Sequence, residues 1–308
     1  MVQADRIKVL AIVGCTAVGK SETALRLARK FDGELIGADS MQIYRGFDIG
    51  TGKLTKRECG GIAHHLIDIA DGDADFSVGE YVRIADTVIR KVSALGKLPI
   101  VVGGTGMYVN SLLSGNDFAS VSKDENVRKS LKMIAHLFGA PILYEFLRRV
   151  DKASADKISQ NDVKRVIRAL EIYMLTGKPK SEAVTTSKPY DDLTIVLTLP
   201  RDMLYDRINK RVKRMFDDGL IEEARGLIGY KNCGSMQALG YKQIVAAPDL
   251  PREELERLVA QKTRNYAKRQ ITYFKNMNVN KVFIDARNRT AIEKCVDEFL
   301  RNGGKQYA

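Results

Sequence analysis

The stretch IKVLAIVGCTAVGKS, residues 7–21, decides the fold. Residues 7–13 form a run that is apolar except for Lys8, which is typical of a strand buried on both faces of a parallel sheet. Residues 14–21 match the pattern G-x-x-x-x-G-K-[ST] at every position, and helical periodicity begins at Ser21. A glycine-containing turn between a buried strand and a helix N-terminus predicts a phosphate-binding loop.

The residue types of this loop suit an anionic ligand. Its glycines let backbone N–H groups turn inward, and the helix N-terminus adds positive potential. Lys20 supplies a point charge, and the hydroxyl of Ser21 is a ligand for Mg²⁺. The candidate phosphate-binding residues are Gly14, Thr16, Ala17, Gly19, Lys20 and Ser21. The loop alone does not define the ligand; ATP is the commonest one, so a P-loop small-molecule kinase is the first hypothesis.

Strand and helix patterns alternate along most of the chain. Further strands are predicted at residues 34–38, 98–102, 193–199 and 281–285, and helices at residues 81–95, 201–227 and 252–277. This alternation predicts an α/β fold of the P-loop NTPase-like type with a doubly wound, mostly parallel sheet. Residues 117–191 show helical periodicity at 127–150 and 163–175 and no strand pattern. We therefore expect a catalytic core of residues 1–116 and 192–308, interrupted by an α-helical insertion at 117–191.

The charge of the chain is unevenly distributed. The net charge is +12, and residues 117–308 hold 36 of the 50 basic side chains but 25 of the 38 acidic ones. Such an excess favours a polyanionic partner, most simply nucleic acid, with a generic solubilising surface as the alternative. The four cysteines match neither a zinc nor a disulfide pattern. Without a membrane-spanning run or signal peptide, we expect a cytoplasmic monomer with no membrane partner.

Polar residues follow two other predicted strands. Asp39 comes directly after the strand at 34–38, and Gly103-Gly104-Thr105 follows the strand at 98–102. In open parallel sheets, ligands bind beyond the carboxyl ends of the strands. We therefore expect Asp39 and Thr105 to lie beside the phosphate loop, although Asp39 alone is also consistent with a helix N-cap and the glycines with a tight turn.

Several longer segments carry a family resemblance. They are DSMQIYRGFDIGTGK (39–53), HHLIDI (64–69), LPIVVGGTGMYVNSLL (98–113), NDVKRVIRALEIYMLTGK (161–178), RVKRMFDDGLIEE (211–223), ALGYKQ (238–243) and KTRNYAKRQITYFK (262–275). In this order and spacing, the chain resembles the bacterial tRNA dimethylallyltransferases, or tRNA isopentenyltransferases, over nearly its whole length. Three positions depart from the family pattern: Cys15 stands in place of Pro, Val18 in place of Ser or Thr, and Gly52 in place of Ala.

The resemblance implies transfer of a dimethylallyl group from dimethylallyl diphosphate to N6 of the adenosine 3′ of the anticodon, tRNA position 37. It implies Asp39 as the general base and Thr105 as the residue that orients the amine. Lys20, the loop amides, Arg211 and a Mg²⁺ ion on Ser21 would then stabilise the departing diphosphate.

The resemblance also implies where the anticodon stem-loop binds. The expected tRNA-binding residues are Asp39, Ser40, Met41, Gln42, Arg128, Lys164, Arg165 and Arg168. In the helix predicted at 252–277, basic side chains share a face with aromatic ones nearby, which suits a single-stranded loop whose bases are splayed and stacked; they are Arg264, Lys268 and Lys275, with Tyr266 and Tyr273. Three hypotheses remain beside this one: a P-loop small-molecule kinase, an adenylate isopentenyltransferase that modifies free AMP, and a non-catalytic RNA-binding protein with a phosphate loop.

Overall fold

The computed structural model describes residues 6–115, 123–182 and 190–302. Within these ranges six strands form one parallel sheet in the order β3-β2-β4-β1-β5-β6. They are β1 (Lys8–Gly14), β2 (Gly33–Gly37), β3 (His64–His65), β4 (Leu98–Gly103), β5 (Asp191–Thr198) and β6 (Lys281–Asp285). Since β1 pairs with β4 on one side and β5 on the other, the strand that leads into the phosphate loop is central.

Helices cover both faces of this sheet and form the insertion. In chain order they are α1 (Lys20–Lys30), α2 (Lys56–Cys59), α3 (Val78–Ala94), α4 (Gly106–Ser114), α5 (Glu125–Phe138), α6 (Ala140–Val150), α7 (Lys152–Ala155), α8 (Val163–Thr176), α9 (Arg201–Asp217), α10 (Leu220–Gly226), α11 (Tyr241–Ala246), α12 (Arg252–Asn276) and α13 (Arg289–Asn302). The helix ends follow local chemistry. For example, Ser77 and Glu80 form a capping box that satisfies the first N–H groups of α3.

The chain divides into two compact units. The first comprises Met1–Ser114 and Pro189–Ala308, and its core lies on the two faces of the sheet. Successive side chains of β1 pack on opposite faces of the sheet: Leu10 and Ile12 on one face, and Val9 and Ala11 on the other. The second unit, Gly115–Lys188, contains α5–α8 around a core that includes Leu131, Leu147 and Leu170.

The predicted α/β fold with its parallel sheet is confirmed, and two predicted helices need correction. The pattern at residues 127–150 is two helices, α5 and α6, separated by Gly139, and the pattern at 201–227 is α9 and α10, separated by Gly219. The strand β3 was not predicted, because two residues are too short for a periodic pattern.

The ends of β2 and β4 meet at Gly103. A Cβ atom at this position would lie 2.1 Å from the carbonyl oxygen of Ala38, so only glycine lets the two backbones approach so closely. The N–H of Ala38 donates to Val102 at 2.8 Å, and the N–H of Thr105 donates to Ala38 at 3.0 Å. This packing brings the segments that carry Asp39 and Thr105 side by side.

Candidate active site

A pocket of about 360 Å³ opens in the first unit near the ends of β1, β2 and β4. Eight of the residues predicted for the site line it: Thr16, Lys20, Ser21, Asp39, Ser40, Met41, Gln42 and Arg211. They come from three separate parts of the sequence, which the fold brings together. The apolar side chains of Val212, Met215 and Leu239 line the same pocket, so it offers both charged and apolar walls.

The phosphate loop holds its lysine in a fixed place. Lys20 donates from Nζ to the carbonyl oxygen of Cys15 at 2.8 Å. Burial lowers the pKa of Lys20 to about 8; the charges of Cys15 and Asp39 oppose this change, and that of Arg211 adds to it. Gly14, Ala17 and Gly19 adopt positive φ angles, which gives the loop its curled path. The predicted loop residues are thus brought together at the start of α1.

Asp39 and Thr105 organise the neighbouring strand ends. Asp39 accepts the N–H of Met41 on Oδ1 at 3.0 Å. The segment that follows it is a turn rather than a helix, so Asp39 is not a helix N-cap. Thr105 accepts the N–H of Ser40 on Oγ1 at 2.9 Å and donates to Ser40 Oγ at 3.2 Å. The side chain of Thr105 therefore fixes the turn that carries Asp39.

Arg211 closes the pocket from helix α9. It donates from Nη2 to the carbonyl oxygen of Thr51 at 3.1 Å, and Gln42 donates to the same oxygen at 3.1 Å. Burial lowers the pKa of Arg211, and the negative charge of Asp39 partly offsets this effect. A Cβ on Gly52 would lie 2.2 Å from Nη2 of Arg211. The glycine found here in place of the family's alanine therefore lets the guanidinium rest on the backbone.

The neighbouring arginines of α9 have other environments. Arg207 donates to the carbonyl oxygen of Val18 at 3.3 Å and so supports the phosphate loop, while Arg214 is exposed. The three arginines of α9 thus differ: Arg207 contacts the loop, Arg211 lies in the pocket and Arg214 is on the surface.

Sequence reasoning missed the residues that support the Asp48–Thr51 segment. The carboxylate of Glu223 accepts the N–H of Ile49 at 3.0 Å and those of Asp48 and Gly50 at 3.3 Å. Tyr241 donates to the same carboxylate and accepts the N–H of Gly50 at 2.9 Å. Burial and the adjacent Glu223 raise the pKa of Tyr241, so the phenol keeps its proton. Both residues lie in motif blocks that carry the family resemblance, but nothing local in the sequence indicates this contact.

Helix α12 supplies a further wall of the pocket with Thr263, Tyr266, Arg269 and Gln270. Burial raises the pKa of Tyr266, and the nearby charge of Asp39 acts in the same direction. The sequence places these residues on a long basic helix but does not show that they face the phosphate loop.

His64 lines the pocket as a neutral imidazole. Burial, together with the adjacent His65, lowers the pKa of His64 to about 4. In the part of the chain that the structure describes, its buried Nε2 has no hydrogen-bond partner.

The remaining predicted tRNA-binding residues lie in the second unit. Glu171 is fully buried and accepts Arg128 Nε at 2.8 Å and Arg168 Nη1 at 2.6 Å. Burial acts to raise the pKa of Glu171, but the two arginines hold it below its ordinary value. Lys164 and Arg165 are exposed on α8. Arg128 and Arg168 therefore share a buried partner, while Lys164 is exposed and the exposed Arg165 lies 3.3 Å from the carboxylate of Asp162.

The donor set of the pocket fits Mg²⁺ only together with a bound phosphate. Across residues 6–115, 123–182 and 190–302, no group of three or more His, Cys, Asp or Glu side chains could hold a metal ion. The hydroxyl of Ser21 lines the pocket together with Asp39. Mg²⁺ commonly takes one or two protein ligands and completes its shell with water and phosphate oxygens, so this set is compatible with Ser21 as its ligand.

Fold and pocket together define a P-loop NTPase-like α/β protein with a candidate active site at the ends of its parallel strands. The family model described as IPP transferase matches residues 42–277. The chain belongs to the IPP transferase family, and it is therefore a transferase enzyme. The family expected from the sequence is confirmed.

Relatives from bacteria support this assignment. The chain is 43% identical over 307 residues to a tRNA dimethylallyltransferase of Thermoanaerobacter sp. (strain X514), covering 96% of this chain and 98% of the relative. It is 46% identical over 279 residues to the tRNA dimethylallyltransferase of Oceanobacillus iheyensis, covering 88% and 89% of the two chains.

Solved structures agree with the fold. The tRNA isopentenylpyrophosphate transferase of Bacillus halodurans is 40% identical, with a TM-score of 0.71, and the match covers 96% of this chain and 97% of that one. A eukaryotic dimethylallyltransferase acting on tRNA is 29% identical, with a TM-score of 0.81 over 96% of this chain and 80% of that one. Among the described residues, no helix is both long enough and apolar enough to cross a bilayer.

Proposed function

We propose that this enzyme transfers a dimethylallyl group from dimethylallyl diphosphate to N6 of adenosine 37 in tRNA and releases diphosphate. The names of its bacterial relatives support the reaction class. The observation that carries the proposal is the pocket itself, where the carboxylate of Asp39 shares a single cavity with the cations Lys20 and Arg211. A proton acceptor beside an anion site suits alkylation by an electrophile that has a diphosphate leaving group.

The acceptor end of the reaction is assigned to Asp39 and Thr105. An exocyclic adenine amine is a weak nucleophile, because its lone pair is delocalised into the ring. A carboxylate at hydrogen-bond distance orients that lone pair and accepts the proton as the N–C bond forms. Oδ1 of Asp39 is held by Met41, which leaves Oδ2 for the amine. Thr105, which already holds the turn through Ser40, would orient the same amine.

The donor end is assigned to the phosphate loop, Lys20 and Arg211. Negative charge grows on the diphosphate as the allylic C–O bond breaks, and cations placed beforehand stabilise it more in a partly dehydrated pocket than in water. Burial has already lowered the pKa values of both cations, which reflects that dehydration. A Mg²⁺ ion held by Ser21 would supply further positive charge to the diphosphate when bound.

The tRNA is proposed to bind through its anticodon stem-loop, with residues 39–42 meeting the base that reacts. To enter a pocket of this size, the adenosine must leave the stack of the anticodon loop. Arg128, Lys164, Arg165 and Arg168 of the second unit are proposed to contact the tRNA, and the two exposed ones are the better placed for phosphates. We expect the enzyme to act in the cytoplasm as a monomer.

Incubation of the protein with Mg²⁺, dimethylallyl diphosphate and unmodified tRNA tests the proposal. Mass analysis of the nucleosides is expected to show N6-dimethylallyl adenosine at position 37. The Asp39→Asn variant is expected to bind tRNA normally and to lose about 10²–10⁴-fold in rate. Asp218→Asn, which changes an exposed carboxylate, is the matched control and should keep the wild-type rate.

Other outcomes would contradict the assignment. Faster modification of free AMP than of tRNA would favour an adenylate isopentenyltransferase. ATP consumption with a small acceptor, and no alkylated tRNA, would identify a small-molecule kinase. A wild-type protein that binds tRNA and modifies nothing would be the non-catalytic RNA-binding protein.

A further inference from the structure

The side-chain amide of Gln270 on α12 is bonded to both halves of the candidate active site. Its Oε1 accepts the N–H of Thr16 in the phosphate loop at 2.9 Å. Its Nε2 donates to the carbonyl oxygen of Gly104, at the end of β4, also at 2.9 Å. The side chain is buried, with 6% of its surface exposed. Through these two hydrogen bonds, the side chain of Gln270 connects the phosphate loop, on the donor side, with the end of β4, on the acceptor side.

The orientation of this amide is unambiguous. A backbone N–H can only donate, and a backbone carbonyl can only accept, so each end of the amide has one permitted partner. If the amide were inverted, its NH₂ group would face the N–H of Thr16 and its oxygen would face the carbonyl oxygen of Gly104. Both pairs would be largely shielded from water. Each such unmade bond carries the full desolvation cost of its polar groups. Gln270 therefore fixes one separation between Thr16 and Gly104.

Gly104 lies at the point where the proposed reacting groups meet. A Cβ atom on this residue would lie 2.6 Å from Nε2 of Gln270. The same position is 3.7 Å from Oδ2 of Asp39 and 3.7 Å from Nζ of Lys20. Thr105, which fixes the turn of Asp39, is the next residue in the chain. A shift of Gly104 relative to the loop would therefore change the placement of Asp39 relative to Lys20.

We propose that Gln270 is a positioning residue that sets the distance between the diphosphate donor and the tRNA amine. This inference rests on the proposed function, in which Lys20 belongs to the donor and Asp39 to the acceptor. Gln270 needs no contact with either substrate for this role. Its effect is on their mutual placement, for which an error of about 1 Å costs up to about 10²-fold in rate.

Two variants of nearly the same shape separate this role from simple stabilisation. Gln270→Met removes both hydrogen bonds, and it is expected to lower kcat about 10–100-fold while each KM stays within about threefold. Gln270→Glu keeps the acceptor for Thr16 but loses the donor to Gly104. The introduced carboxyl can donate to Gly104 only when it is protonated. The ordinary pKa of a glutamate is about 4.3, so at pH 8 this variant is expected to lower kcat about 10–100-fold, as Gln270→Met does.

The control is Gln261→Glu, which adds the same charge at an exposed position of α12 and should leave kcat unchanged. Binding of inorganic diphosphate, measured calorimetrically with Gln270→Met, reports whether the phosphate loop is intact and is expected to stay within about threefold of wild type. Loss of that binding would mean that Gln270 merely holds the loop together and would overturn the inference.

The remaining outcomes are distinct. Full kcat in Gln270→Met, or in Gln270→Glu at pH 8, contradicts the role of Gln270 alone. A wild-type protein that forms no alkylated tRNA contradicts the proposed function, and the inference with it.

Discussion

Arg211 donates from Nη2 to the carbonyl oxygen of Thr51 over 3.1 Å, and this bond ties helix α9 to the segment that follows Asp39. The guanidinium has further N–H groups, since five are available in a fixed fork. It is therefore held in place by the protein while it still offers donors to the pocket.

Removal of this guanidinium should weaken use of the diphosphate donor. Because hydrogen bonds to charged groups contribute about 1.5–3 kcal/mol, Arg211→Ala is expected to lower kcat/KM for dimethylallyl diphosphate about 10–100-fold. Arg214→Ala removes the same charge from an exposed position of α9 and serves as the control. Steady-state kinetics with tRNA held at saturation measures the effect. Equal losses in the two variants would show that only net charge matters.

Diphosphate binding should depend on the protonation of Lys20. Its pKa of about 8 lies below the ordinary value because burial disfavours the charged form. The ammonium attracts the anion only when protonated, so affinity is full below pH 8 and falls about tenfold per unit above it. Bound diphosphate raises the pKa of Lys20 again, so binding of diphosphate is coupled to uptake of a proton by Lys20 at pH 9 but to little uptake at pH 7. Calorimetry with inorganic diphosphate in buffers of different ionisation enthalpy measures this uptake.

Lys20→Arg is the control for the pH experiment, because a guanidinium stays charged throughout this range. The proton uptake at pH 9 that belongs to the lysine should be missing from this variant. Identical uptake by both proteins would place the titrating group elsewhere.

The carboxylate of Glu223 should stabilise the folded chain. It accepts four donors, from three backbone N–H groups and Tyr241. In Glu223→Gln an NH₂ group would face some of these donors, so the free energy of unfolding is expected to fall by about 1–3 kcal/mol. Urea denaturation measures the change. Glu222→Gln alters the exposed neighbour and should stay within about 0.5 kcal/mol of wild type. An equal loss there would rule out the bonds of Glu223 as the cause.

Two basic residues of α8 should differ in what they contribute. Lys164 is exposed, so Lys164→Gln is expected to lower the slope of log affinity for tRNA against log salt by about 1, with unchanged stability. Arg168 is bonded to the buried Glu171, so Arg168→Gln should lower the free energy of unfolding by about 1.5–3 kcal/mol. Filter binding at several salt concentrations measures the first effect, and urea denaturation measures the second. A tRNA affinity that does not depend on salt would contradict the basic surface altogether.

The parts of the site that could be predicted from sequence are those with local signals. Residues 7–21 carry strand, loop and helix within one short segment, and the rule for parallel strand ends placed Asp39 and Thr105 beside them. The contact between Gln270 and Thr16 joins residues 254 positions apart, and that between Glu223 and Ile49 spans 174. Such pairs depend on how α10 and α12 pack, which no local pattern specifies.

Sequence patterns also failed to predict very short strands and the breaks between consecutive helices. The pattern at residues 127–150 was interpreted as one helical stretch, but Gly139, with a φ of 85°, separates α5 from α6. The two residues of β3 form a strand because they pair with Leu35 and Ile36, and their own sequence carries no strand pattern. For β3, pairing with a neighbouring strand decided what the local pattern left open.

The order of the sheet has a consequence for folding during synthesis. The central strand β1 lies between β4, which the ribosome makes before the insertion, and β5, which it makes afterwards. When the insertion has emerged, β1 still has one open edge, whereas α5–α8 already have the partners of their own core. Local helical contacts form faster than parallel strand pairing. We therefore expect the insertion to fold first, while the exposed edge of β1 is the part of the nascent chain most in need of a chaperone.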